Sequence, residues 1–303
     1  MIRRWRRLAA EALDRRFGPL NARLDAFDAR FDARFEGGET RVSALEDRLD
    51  GQTAQLNGLT AVLRTLAADD PGHRRRLSEL RANPDYSAAW DEPDPLVTIV
   101  VPTRDRQELL IERALPSALA QTHEDLEVIV VGDADTNVRA AVEAVPDPRV
   151  RFVSTTHRYE RPDGERWLTA ATLARNEGYR MARGHWLVDL DDDDSLRPDS
   201  IAQLLGHARS HRLEVVYAKI QQHVPSGATM EIGSFPPVLG DFSWHGAIVH
   251  AGLRFFEREH VAADLGLPGD WFRCERMLRA GVRIGRLDRV TGDYYPSRVW
   301  LGG

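Results

Sequence analysis

The spacing of apolar residues divides the chain into two parts. Up to residue 66, apolar residues recur alternately four and three positions apart, which is the heptad pattern of helices that pack along a shared seam. The seam positions are Leu13, Phe17, Leu20, Leu24, Phe27, Phe31, Phe35, Val42, Leu45, Leu49, Leu56, Leu59, Leu63 and Leu66. We therefore predict a helical, coiled-coil-like segment over residues 1–68.

This heptad pattern slips once. Phe31 and Phe35 add a second consecutive step of four, and Gly37–Gly38 lies at the same place. Because such a slip locally unwinds a supercoil, the segment is either one rod or two helices joined by a break. Its apolar stripe needs a partner in either case, and the two candidates are a second copy of the chain and the rest of the same chain. We favour the second copy and predict a homo-oligomer.

Residues 69–95 form the boundary between the two parts. They are rich in turn formers and helix breakers, among them Asp70-Pro71-Gly72, Asn83-Pro84 and Asp94-Pro95. Residues of these types interrupt regular structure. The pattern predicts a linker that contains one short helix.

Beyond residue 96, short runs of buried type alternate with amphipathic segments. Strands are predicted at residues 97–101, 126–131, 150–154 and 185–190, and helices at residues 108–121, 136–145 and 168–183. This alternation is typical of an α/β domain in which helices cover both faces of a mostly parallel sheet. We assign residues 96–303 to this domain. In such sheets ligands bind beyond the carboxyl ends of the strands.

Composition narrows the class of protein. The chain has 303 residues, 42% of them apolar, and a formal charge of −6, and it contains no apolar run of the roughly 18 residues that cross a bilayer. These values argue against a nucleic-acid binder and an integral membrane protein. Cys274 is the only cysteine, which excludes an internal disulfide framework and a cysteine-based zinc site. A cytoplasmic protein fits best.

Arginine replaces lysine almost everywhere, because Lys219 is the only lysine among 41 basic residues. A single arginine is therefore weak evidence of phosphate binding.

Residues 1–8 carry four arginines around Trp5, without the apolar stretch and cleavage site of a secretory signal. We expect this start to be retained as a solvated helix end, and a peripheral membrane contact through it stays open.

Four adjacent carboxylates, Asp191 to Asp194, follow the predicted strand at residues 185–190. Neighbouring carboxylates repel each other unless a cation lies among them or some of them are protonated. All-oxygen ligands suit Mg²⁺ or Mn²⁺, which typically complete their coordination with substrate phosphates. Asp191 and Asp193 share one face of an extended segment. The alternative is a solvated acidic loop that caps the helix near Pro198.

Several segments together resemble the signatures of family 2 glycosyltransferases of the GT-A fold. They are residues 97–106, 118–122, 127–133, 174–178 and 184–194, in the expected order and spacing. The resemblance covers most of residues 96–200. Residues after 200 match more loosely, and residues 1–90 lie outside it.

The resemblance implies an inverting glycosyltransferase that uses a UDP- or dTDP-linked sugar, an acceptor hydroxyl, and Mg²⁺ or Mn²⁺. It implies a catalytic base at Asp270, early in a helix. It implies donor-binding roles for Pro102, Thr103, Arg104, Asp133, Arg175, Asp191 and Asp192, and a metal site of Asp191, Asp193 and His250. Two positions depart from the family: Gly132 replaces a frequent aspartate, and Arg104 a common aromatic residue. The nucleobase therefore stays open.

Each of these roles has a structural alternative. Asp270 can be a plain helix N-cap, and a lone histidine such as His250 is more often structural. Trp244 and His245 belong either to an acceptor surface or to the core. For the whole protein, the rivals are a nucleotidyltransferase and a non-catalytic coiled-coil scaffold. A glycine-rich, lysine-bearing phosphate loop after Val101 would favour the former, and the sequence has none there.

Overall fold

The computed structural model describes residues 22–23, 26–27, 29–30, 42–54, 56–58, 60–61, 63–64, 70–160, 165, 168–224 and 227–296. The chain divides into two units, Met1–Ala61 and Val62–Gly303. The described residues of the first unit are helical, as the heptad spacing predicts. The basic start at residues 1–8 and the glycine pair at residues 37–38 lie outside the described residues. So do Leu13, Phe17, Leu20, Leu24, Phe31, Phe35, Leu59 and Leu66.

The apolar seam positions that the structure describes are exposed. Val42, Leu45, Leu49, Leu56 and Leu63 have between 54% and 63% of their surface exposed. Within the described ranges, no helix is both long and apolar enough to cross a membrane.

The region predicted as a linker is a folded part of the second unit. Residues 70–82 are helical (α1), followed by a 3₁₀ turn at Pro84–Ser87 and by α2 at Ala88–Asp91. Leu77 and Trp90 are 1% and 4% exposed. The linker prediction is thus wrong for this region, because its turn formers mark the ends of packed helices.

Nine strands form one sheet within the described residues. They are β1 Val97–Thr103, β2 Leu126–Gly132, β3 Val150–Ser154, β4 Trp186–Asp189, β5 Ser195–Leu196, β6 Val215–His223, β7 Thr229–Ile232, β8 Ile248–His250 and β9 Ile284–Tyr294. The order is β3-β2-β1-β4-β8-β6-β9-β5, and β7 pairs with β6. The strands β3, β2, β1 and β4 are parallel, whereas β8 is antiparallel to both neighbours. The sheet is therefore mixed.

Helices cover both faces of this sheet. Those that follow β1 are α3 Gln107–Leu109, a π-helical turn at Leu110–Ala114, α4 Leu115–Leu119, α5 Arg139–Glu143, α6 Thr172–Met181, α7 Ser200–His211, a 3₁₀ helix at Ala251–Phe255, α8 Val261–Asp264 and α9 Gly269–Ala280. Alternate side chains of β1 point into two apolar clusters. Ile99 packs in one cluster with Leu204 of α7, and Val100 packs in the other with Ala174 of α6. The sheet is the middle of three layers.

The register of the parallel strands creates one edge for a ligand. Thr103 of β1 pairs with Gly132 of β2, and Val100 pairs with Asp189 of β4. The residues that follow β1, β2 and β4 therefore leave the sheet on the same side, where the sheet rule places a ligand site.

We expect Trp90→Ala to lower the free energy of unfolding by about 3–5 kcal/mol, the usual loss for a buried aromatic residue. Trp90 packs edge-on against Trp186 at 5.7 Å and donates a 2.8 Å hydrogen bond to the carbonyl oxygen of Leu213. Urea denaturation measures the change. The control is Leu278→Ala, at a position that is 41% exposed. Equal small losses in both variants would show that residues 70–91 contribute little to the domain.

Candidate active site

The acidic run lies at the carboxyl edge of the sheet, directly after β4. Asp192 and Asp194 are 6% and 0% exposed, whereas Asp191 and Asp193 are half-buried. Thr103, at the end of β1, donates a 2.8 Å hydrogen bond from Oγ1 to Oδ2 of Asp192. The run is thus a packed part of the domain, unlike a solvated acidic loop.

Arginines from three different segments contact the acidic run. Arg175 of α6 donates from Nη2 to Oδ1 of Asp191. Arg106 donates from Nη1 to Oδ2 of Asp193 at 2.5 Å, and Arg113 donates to the backbone carbonyl oxygen of the same residue. Sequence reasoning missed Arg106 and Arg113, because arginine is so common in this chain that no single one is informative.

The arginines compensate the acidic run only in part. Burial raises the pKa of Asp192 to about 6 and also raises the pKa of Asp193. Burial and the charges of Asp191 and Asp193 raise the pKa of Asp194 well above its usual value. Burial acts in the same direction on Asp191, but the charge and hydrogen bond of Arg175 together with His245 outweigh it and lower that pKa. Excess negative charge of this kind is relieved by protons or by a bound cation.

The donor atoms of the run suit a hard divalent cation. They are carboxylate oxygens, the ligands that Mg²⁺ and Mn²⁺ prefer, and the buried Oδ2 of Asp194 has no hydrogen-bond partner in the described part of the chain. Among the described residues, no three His, Cys, Asp or Glu side chains are already arranged to hold a metal. The oxygen donors of the run are thus of the type that fits a hard divalent cation.

Asp189, the last residue of β4, is a buried charge that organises the site. It is 2% exposed, and its Oδ2 accepts hydrogen bonds from Tyr179 Oη at 2.6 Å and from Arg258 Nη2 at 2.7 Å. Nη1 of Arg175 lies 3.6 Å from Oδ1. Burial raises the pKa of Asp189, but Arg258, Arg175 and Arg273 outweigh it and lower the pKa to about 2. The carboxylate stays ionised and fixes the guanidinium groups beside it.

A cavity of about 590 Å³ extends from this cluster. Its wall combines charged groups with a large apolar surface. The charged residues are Arg175, Asp189, Asp191, Arg258 and Asp270, and the larger apolar ones are Leu168, Ile232, Leu239, Phe242, Trp244 and Trp271. A ligand in this cavity can meet both a carboxylate and an aromatic face.

Asp270 lies in the first turn of α9, with its carboxylate in the cavity wall. The N-cap residue of this helix is Pro268, so the plain N-cap alternative for Asp270 does not apply. Oδ1 of Asp270 accepts a 2.7 Å hydrogen bond from the backbone N–H of Trp271. Burial raises the pKa of Asp270, and Arg258 acts in the opposite direction. The result is a carboxylate of greater basicity than a solvated aspartate.

A match to a known family decides which class of protein carries this site. Residues 98–264, more than half of the chain, match the model of the family described as Glycosyl transferase family 2. The chain belongs to this family.

Relatives of this family 2 glycosyltransferase share its central region. Succinoglycan biosynthesis protein ExoO of Rhizobium meliloti is 39% identical over 115 residues, which cover 38% of this chain and 30% of that protein. Chondroitin synthase of Escherichia coli is 33% identical over 118 residues, which cover 38% of this chain and 16% of that protein. The chain thus matches less than a third of the length of either relative.

Solved structures confirm the fold of this glycosyltransferase. The crystal structure of S. aureus TarS residues 1–349 in complex with UDP has a TM-score of 0.50 at 18% identity, covering 67% of this chain and 61% of that chain. The complex with UDP-GlcNAc has a TM-score of 0.51 at 16% identity, covering 67% and 59%. The predicted GT-A type, a mixed sheet flanked by helices, is confirmed.

The structure explains the signature at residues 174–178 of this glycosyltransferase. The side chain of Asn176 donates to the carbonyl oxygen of Arg258 at 2.8 Å and accepts from its backbone N–H at 2.9 Å. A Cβ atom on Gly178 would lie 2.3 Å from Cγ1 of Val100, so only glycine lets α6 approach β1 this closely. Together with Arg175, these residues attach α6 to the sheet and to the Arg258 segment.

The loop after β1 lies beside the end of β2. The backbone N–H of Asp133 donates a 2.9 Å hydrogen bond to the carbonyl oxygen of Thr103. Burial raises the pKa of Asp133, and Arg104 and Arg175 oppose that shift. Pro102 is buried within β1. The sequence-predicted donor residues thus come together at one edge, although Pro102, Thr103, Arg104 and Asp133 lie outside the cavity wall.

Gly132 cannot carry the second aspartate that the family often has. A Cβ atom at this position would lie only 1.8 Å from the carbonyl oxygen of Asp135. Asp135 also joins this loop to the loop after β1, because its Oδ2 accepts a 2.9 Å hydrogen bond from the backbone N–H of Asp105. The departure at Gly132 is therefore built into the loop, and Asp133 has no acidic neighbour at position 132.

His250 is not near the acidic run, and the prediction that it binds the metal is wrong. Because β8 is antiparallel to β4, His250 pairs with Trp186 at the start of β4, the opposite end from Asp189. Its Nε2 bonds to the carbonyl oxygen of Tyr86 at 3.1 Å, and its Nδ1 accepts from the backbone N–H of Gly252 at 3.0 Å. Both ring nitrogens are used, so the structural alternative holds.

His245, not His250, is the histidine beside the carboxylates. It is 5% exposed and lines the cavity, with its Nδ1 at 3.4 Å from Oδ2 of Asp194. Burial lowers its pKa and the charge of Asp191 opposes that shift. Trp244 lines the cavity as well and donates a 2.8 Å hydrogen bond to the carbonyl oxygen of Asp270. Both residues therefore belong to the core and to the site wall.

We expect Asp189→Asn to lower the free energy of unfolding by about 3–5 kcal/mol, because it leaves buried arginines without their counter-charge. Chemical denaturation measures the loss. The matched control is Asp288→Asn, since Asp288 pairs with Lys219 at 2.8 Å but is 68% exposed; we expect a loss of about 0–1 kcal/mol there. Similar losses in the two variants would contradict the organising role of Asp189.

Proposed function

We propose that this glycosyltransferase transfers a sugar from a UDP- or dTDP-linked donor to an acceptor hydroxyl, with inversion and with Mg²⁺ or Mn²⁺. One observation carries the proposal: Asp191 and Asp270 lie in the wall of the same cavity, together with Arg175 and Arg258. A cation-binding carboxylate and a candidate base thus face one space. The TarS structures contain UDP and UDP-GlcNAc, so a uridine nucleotide is the first donor to test.

On the donor side, Asp191 and Asp193 would hold the cation, which supplies compensation for the charge of the departing diphosphate. Arg175 and Arg258 add positive charge that Asp189 keeps in place. Fixed charges of this kind stabilise a transition state without reorganisation. Asp133, Thr103 and the neighbouring loop would bind the nucleoside at the strand edge, as acidic residues do in other nucleotide-binding sheets.

On the acceptor side, Asp270 would remove the proton of the attacking hydroxyl. The acceptor oxygen then bonds to the anomeric carbon as the bond from that carbon to the diphosphate oxygen breaks, and the proton goes to the Asp270 carboxylate. A raised pKa suits this role, because a stronger base takes the proton more readily. Attack from the side opposite the leaving group gives inversion.

The N-terminal segment contributes a separate proposal. Its exposed leucines at Leu45, Leu49, Leu56 and Leu63 support self-association along the predicted seam. In this proposal residues 1–68 join copies of the chain, and residues 96–303 carry the transferase chemistry.

We expect Asp270→Asn to lower kcat by about 10²–10⁴-fold, the usual contribution of a general base, with little change in donor affinity. Transfer from a panel of UDP- and dTDP-sugars measures the effect. The control is Glu275→Gln on the same helix, which lies outside the cavity wall. Undiminished turnover of the Asp270 variant would remove its assigned role.

We expect nucleotide binding to depend on the divalent cation. UDP with Mn²⁺ should raise the thermal midpoint of the wild type, with a stabilisation of about 2.7 kcal/mol when the ligand is at 100 times its Kd. EDTA or Asp191→Asn should remove most of this shift. Asp199→Asn, at an exposed position, should retain it. An equal shift in the presence of EDTA would rule out the metal-bridged diphosphate.

A further inference from the structure

An ordered apolar loop lies between β7 and β8. The backbone N–H of Gly233 donates to Oδ1 of Asp241 at 2.9 Å, and that of Ser234 donates to the carbonyl oxygen of Asp241 at 3.0 Å. These bonds close the loop at its base. Three apolar residues between them are exposed: Phe235 by 55%, Val238 by 51% and Leu239 by 49%. The loop thus holds large apolar side chains in solvent.

This loop is continuous with the cavity of the site. Leu239 and Ile232 line the cavity wall. Met230 of β7, 51% exposed, is the register partner of Gln222, another lining residue. Directly opposed residues of an antiparallel pair lie on the same face, so Met230 is on the cavity side. We call Met230, Phe235, Val238 and Leu239 the apolar rim.

The loop that carries Phe235, Val238 and Leu239 of the apolar rim is uncharged over its whole length. No charged residue occurs between Glu231 and Asp241. Single exposed apolar residues need no explanation, but several of them together at the mouth of a site mark a binding surface. Phe242 and Trp271, with ring centroids 6.2 Å apart, add further apolar surface to the cavity wall.

The wall of the cavity thus combines two kinds of surface. Asp191, Arg175 and Arg258 supply charge, and the aromatic residues together with Leu239 of the apolar rim supply apolar area. An amphipathic ligand with a polar reacting group and an apolar tail matches this arrangement. The rim is too small for a protein partner, since four half-exposed side chains present far less than the ~800 Å² per partner of a stable interface.

We propose that the apolar rim binds the hydrocarbon chain of a lipid-linked acceptor, whose sugar hydroxyl reaches Asp270. This inference rests on the proposed transferase function and names its acceptor class. The tail contributes binding free energy in proportion to the apolar area that it buries. The rim then selects acceptors by their tail, while the charged residues of the cavity wall bind the donor.

The test uses hexyl, octyl and decyl β-glucosides below their micelle concentrations, with binding measured by calorimetry. For the wild type we expect Kd to fall by about four-fold for every two methylenes, the value for a half-buried chain. The double variant Phe235→Ser/Leu239→Ser should lose this dependence. Leu278→Ser, at an exposed position on α9, should retain it.

Two results would overturn the proposal: a wild-type Kd independent of chain length, or the same dependence in the double variant. In another outcome, the wild type sediments with phosphatidylcholine vesicles while the double variant does not, with a Kd for the glucosides that is independent of chain length. That result would assign the rim to a bilayer surface. A change of mass by light scattering in the double variant would assign it to self-association.

UDP binding with Mn²⁺ is measured in parallel. Loss of UDP binding by the wild type counts against the transferase proposal, whereas normal UDP binding without chain-length dependence counts against the rim alone.

Discussion

The site depends on one buried charge, the carboxylate of Asp189. A carboxylate that is 2% exposed is stable only when its counter-charges are fixed close to it, and here they come from α6, α9 and the segment after β8. The ion pairs with Asp189 therefore bring three distant parts of the chain together around the end of β4. The same arginines that neutralise Asp189 also act on Asp191 and Asp270. The groups that stabilise the buried charge and the groups that line the cavity are therefore partly the same.

The pattern of apolar residues predicted the elements whose formation depends mainly on neighbouring residues in the sequence. The strands at residues 97–101, 126–131 and 150–154 were found within two residues of their predicted ends, because buried β-branched runs have few other structures available. The rule that parallel strands end at a common edge also agrees with the contact between Thr103 and Asp192. These results needed only periodicity and the geometry of parallel strands.

Long-range packing was beyond the same reasoning. Residues 70–91 looked like a linker because their burial depends on partners such as Leu213 and Glu214, more than a hundred residues away. His250 was misplaced because a strand's direction in the sheet, which decides which end meets the ligand, leaves no trace in its own sequence. His245 follows an irregular loop that no period describes.

The tight turn at Gly132 has an implication for how such enzymes diversify. Where relatives can exchange a second acidic side chain, this chain has only backbone, because the space is filled by the carbonyl group of Asp135. In the proposed donor site, a change of nucleobase specificity would therefore have to arise at Asp133 or Arg104, or would first require a rebuilt turn. One missing carbon atom thus narrows the evolutionary routes open to the proposed donor pocket.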